Sequence, residues 1–62
     1  MTDEEKRRLH GICYRSKADG RLTEEEQRFI QRMFKMYPAE YREIQQAASQ
    51  EAINDAKRGF GG

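Results

Sequence analysis

Sixty-two residues make one domain at most, and a chain of this length buries only about 60% of the surface it exposes when unfolded. Leu, Ile and Phe number nine and Val is absent, roughly 15% of the chain, below the level of about 20% that flags disorder when net charge is also high. Charged residues make up 37% but nearly cancel, to a net +1, which excludes a self-repelling tail and a strongly basic domain and suits solvated helix faces.

Three Tyr and three Met extend the apolar inventory, so the expected fold is one helped by self-association or by a partner. Cys13 is the only cysteine, which rules out an intramolecular disulfide and favours a reducing compartment. The stretch Met-Thr-Asp-Glu-Glu-Lys-Arg-Arg lacks the apolar run of a signal peptide, and no segment nears the 18 or so apolar residues that would span a bilayer. The expected setting is the cytoplasm or a virion, with no membrane contact and no secretion through a signal peptide.

In chain order, a first helix is expected over about 2–18. Thr2 and Glu5 have capping-box spacing, in which two side chains satisfy each other's orphan backbone donors. Leu9, Ile12 and Cys13 form a narrow apolar stripe with Tyr14 at its edge. Gly11 in the middle either permits a second helix to approach closely or is a tolerated weak point.

Asp19-Gly20 then supplies a tight turn, because glycine takes positive φ without steric cost. A second helix is expected over about 23–37, with Thr23 and Glu26 as its capping box. Phe29, Ile30, Met33, Phe34 and Tyr37 recur at helical spacing and make the strongest apolar face in the chain. The expectation is that everything else packs on that face. Residues 2–9 align with residues 23–30 at an offset of 21, and Leu9, Ile12 and Cys13 fall on Ile30, Met33 and Phe34. Two readings remain open: a repeated unit folded into a hairpin, or two helices that share capping and amphipathicity.

Pro38 closes the second helix and opens a third, since proline disfavours helix in the residue before it but fits a first helical position; Tyr37 becomes a corner. The third helix is expected over about 38–58, with a thin face of Tyr41, Ile44, Ala48, Ala52 and Ile53 and an alternative break near Ser49. Lys57, Arg58 and Gly59 carry helix-end signals, so 59–62 is read as a glycine-rich tail in which Phe60 must find the core or a partner.

The candidate chemistry is sparse. His10 and Cys13 stand i,i+3, but a structural zinc site needs four ligands and the chain has no further His or Cys, so neither a metal nor a cofactor nor a catalytic residue is expected. Arg28, Arg32 and Lys35 form a basic stripe which, with Arg21 and Arg7 or Arg15, would suit phosphate contacts; this is the alternative reading, a small nucleic-acid-binding module. The acidic first turn Glu24-Glu25-Glu26 weighs against a base-reading helix.

The stretch Ala18-Asp19-Gly20-Arg21-Leu22-Thr23-Glu24-Glu25-Glu26 resembles the second half of an EF-hand calcium loop: Asp19, Gly20, Leu22 and Glu26 fall on its fifth, sixth, eighth and twelfth positions. Arg15 and Lys17 occupy the first and third, where that family has carboxylates. The same phrase is similar to the Asp-Gly linkers of tellurite-resistance-type bundles. Both resemblances imply helix–turn–helix geometry rather than activity. In size and style the chain is also similar to small accessory proteins of tailed bacteriophages, both virion components and host-directed factors.

The resulting expectation is an all-α single domain over 1–62, a helical hairpin covered by a longer third helix. Its function is expected to be non-enzymatic, as a structural or host-directed assembly protein that meets another protein or another copy of itself. The expected interface is Phe29, Met33, Phe34, Met36, Tyr37, Tyr41 and Phe60, aromatics and methionines being enriched at interface cores.

Overall fold

A computed structural model describes the backbone of residues 1–61 and the side chains of residues 1–59. Among the described residues the chain is all-α, with three helices: α1 (Asp3–Asp19), α2 (Glu24–Met36) and α3 (Pro38–Gly61).

Both capping boxes form. Thr2 Oγ1 accepts from the Glu5 N–H at 3.1 Å while Glu5 Oε1 accepts from the Thr2 N–H at 2.9 Å. At the start of α2, Thr23 Oγ1 accepts from the Glu26 N–H at 3.2 Å and Glu26 Oε1 accepts from the Thr23 N–H at 3.0 Å. These backbone donors are the main reason that the Glu5 and Glu26 carboxyls sit below their ordinary range. Gly20 adopts φ 73°, the left-handed conformation that closes a helix, and its N–H donates to Ser16 O at 2.8 Å. Tyr37 is the corner between α2 and α3, at φ −135° and ψ 65°.

The packing departs from the expected hairpin plus cover. The broadest contact in the molecule is between α1 and α3, and α2 meets each of them over a much shorter stretch. Two polar links show the direction: His10 Nε2 lies 2.8 Å from Glu51 Oε2, and Tyr14 Oη donates to Asp55 Oδ2. His10 and Tyr14 are one turn apart on α1, and Glu51 and Asp55 one turn apart on α3, so the two helices run parallel. α2 returns between them, tied to α1 by Arg15 Nη1 and Glu26 Oε2 at 3.4 Å.

The core is therefore centred on Leu9 and Cys13 of α1, Met33 of α2 and Ala48 of α3, with Ile12 and Ala52 also buried. Leu9 and Ala48 are fully buried. Alanine brings little apolar area, but two of them one turn apart let α3 lie close enough for the thin α1 stripe to fill the gap. From α2 only Met33 is buried. The expectation that everything packs on α2 is thus corrected: its apolar arc is wider than the groove between α1 and α3 can accept.

Two open readings close and one expectation is corrected. Gly11 is exposed, and a Cβ built on it would meet nothing within 4 Å, so it is a weak point of α1 and not a site of close approach. α3 has no break near Ser49; it continues, and Gln50 donates to Asn54 Oδ1 at 3.2 Å across the next turn. It also runs through Gly59 to Gly61, because among the described residues the only positive φ is at Gly20 and nothing turns the chain out of the helix.

Candidate interaction surface

At 100° per residue, the apolar side chains of α2 span roughly 160° of arc from Met36 to Phe34, with Met33 near the middle. Only that middle reaches the core, where Met33 is 2% exposed. Phe29, Ile30 and Tyr37 are half-buried beside it, together with Tyr41 and Ile44 of α3. Phe34 and Met36 stand on opposite shoulders, 53% and 52% exposed.

The two shoulders differ in their neighbours. On the α3 side, Phe34 meets Tyr41 edge to face, with ring centroids 5.3 Å apart, and burial raises the Tyr41 hydroxyl above its ordinary pKa. On the α1 side, the Arg8 guanidinium lies 4.9 Å from the centre of the Phe29 ring. Arg8, Glu25, Arg28, Phe29 and Arg32 line an open groove there of about 310 Å³.

Of the residues expected at an interface, Phe34 and Met36 are at the surface, and Phe29, Tyr37 and Tyr41 are partly so. Met33 is not; it is the one α2 side chain that the core consumes. The Phe60 side chain lies outside the described residues. Of the basic set, Arg28 and Arg32 come together, while Lys35 and Arg21 are exposed but do not line that groove. Arg8 takes the place expected of Arg7 or Arg15, since Arg15 is drawn to Glu26. The signal for it lay in the spacing: Arg8, Ile12 and Arg15 are i, i+4, i+7 on α1, the edge turned towards α2.

The remaining candidates are occupied. His10 faces Glu51 while Cys13 points into the core, where burial pushes the thiol above its ordinary pKa, the opposite of activation. Glu26 is held by its cap and by Arg15. Among the described residues, no three His, Cys, Asp or Glu side chains gather as a metal-ligand set, and no helix is long and apolar enough to cross a membrane. No family model, curated protein or solved structure matches this chain.

Proposed function

We propose that the protein is a small, non-enzymatic helical binding and assembly protein that acts through protein–protein contacts along α2. The observation that carries this reading is the exposure of Phe34 and Met36 on a helix of which Met33 alone is fully buried. In a chain with so few large apolar residues, these two flank the half-buried Phe29, Ile30 and Tyr37, so α2 keeps apolar surface across the whole of its arc.

A photo-reactive phenylalanine analogue placed at position 34 or 36, with exposed position 46 on α3 as control, tests it. The expected result is adducts to polypeptide from 34 and 36 and none from 46. Adducts that do not depend on position would overturn the reading. The convergence of Arg8, Arg28 and Arg32 around Phe29 favours a second reading, in which the groove holds nucleic-acid phosphates. Binding to an oligonucleotide that weakens steeply with salt and is lost on Arg28→Glu with Arg32→Glu would select it.

A further inference from the structure

We infer that the shoulder of α2 formed by Glu25, Phe29, Arg32 and Met36 pairs with the same shoulder of a second copy of this chain, antiparallel about a two-fold axis near Phe29. The inference rests on the protein-contact reading above and names the partner.

These residues are spaced four, three and four apart, the spacing of a seam between two packed helices. Glu25, Arg32 and Met36 are exposed and Phe29 is half-buried, so the seam lies beside the core-facing centre at Met33. Its charge is arranged around the ring with opposite signs, an acid four residues before Phe29 and a base three residues after. At 1.5 Å of rise per residue the acid is about 6 Å from the ring level on one side, and the base about 4.5 Å on the other. A two-fold axis at Phe29 therefore sets each Glu25 beside the other copy's Arg32, twice, within the reach of an arginine. A parallel pairing would set like on like.

Glu25 and Arg32 are about 10 Å apart along one helix, too far to pair within a chain. Among the described residues neither makes an ion pair. Glu25 lines the groove with Arg8, Arg28 and Arg32, and it is the one lining group that a second copy's arginine complements. Arg8 and Arg28 leave each face net positive, so association depends on the two Glu25–Arg32 contacts rather than on overall charge.

The test is sedimentation equilibrium of the full chain across a concentration series, with helicity followed on the same samples. The wild type is expected to show a monomer–dimer equilibrium. Glu25→Arg and Arg32→Glu each place like charges at both symmetric contacts, and each alone is expected to weaken association by about tenfold or more. Mixed in equal amounts, the two variants are expected to regain wild-type association as a heterodimer, since every contact then joins opposite charges. A wild type that is monomeric throughout overturns the inference, and so do variants that dimerise as before or a mixture of folded variants that stays monomeric. A monomeric wild type that nevertheless gives adducts to another polypeptide removes the second copy and keeps the protein-contact reading. One that binds an oligonucleotide through Arg32 gives the groove to nucleic acid.

Discussion

The α1–α3 pair and α2 use opposite materials for opposite ends. The pair holds the fold with small and medium side chains, Leu9, Ile12 and Cys13 on α1 and Ala48 and Ala52 on α3, all of them buried. α2 has the larger apolar residues, of which it buries Met33, half-buries Phe29 and Ile30 and leaves Phe34 and Met36 at the surface. Bulk at a core position stabilises only where a facing groove receives it. Two parallel helices brought close by alanine leave a groove that takes in Met33 fully and Phe29, Ile30 and Tyr37 only in part.

The largest expected effect separates the two regions directly. Leu9→Ala empties the centre of the pair and should cost about 2–5 kcal/mol, against roughly 3–9 kcal/mol of total stability for a chain this size. Phe34→Ala removes a larger side chain but only an edge contact with Tyr41, and should cost about 1 kcal/mol. Urea unfolding of the two variants checks the contrast; equal losses would break it.

Next, Ala48→Leu forces bulk into the closest part of the α1–α3 contact and should cost about 1–3 kcal/mol by overpacking. The midpoint of a thermal melt reads this. Gly11→Ala should act in the opposite direction, adding about 0.5–1 kcal/mol, because the position is helical, exposed and open. A loss of stability there would mean that Gly11 accommodates a close neighbour after all.

Acid should reach both regions through their caps. Glu5 and Glu26 have folded-state pKa values below the ordinary 4.5, so the stability they contribute is complete above that value and is lost as pH falls through the lower, folded one. Helicity followed from pH 6 downwards should fall only below the ordinary carboxylate range. The Thr2→Ala and Thr23→Ala variants should show a weaker acid dependence, each having lost one partner of the box.

The local part of this fold was legible in the sequence because its causes are local. Two threonines, each with a glutamate three residues on, fixed both helix starts, and Asp19-Gly20 and Pro38 fixed both connections. The centre of the fold was not legible in the same way. Periodicity ranks helices by how apolar their faces are, and so pointed to α2; which face is consumed depends on the facing surface, and the alanines of α3 set that. The end of α3 was misjudged for a related reason. Lys57, Arg58 and Gly59 express a preference to stop, but a stop needs a residue that leaves helical dihedrals, and Gly59 does not. At the candidate surface, Phe34 and Met36 were identified from residue type, whereas the place of Arg8 over Phe29 required knowing which edge of α1 faces α2.

Native-state hydrogen exchange at low and high protein concentration tests the division of labour most directly. At low concentration the slowest amides should lie in α1 around residues 9–13 and in α3 around residues 48–52, with α2 exchanging faster, and raising the concentration should slow α2 selectively. Amides of α2 as slow as those of the pair at low concentration, unchanged on concentrating, would contradict the account: α2 would then be the centre of the fold and no contact surface.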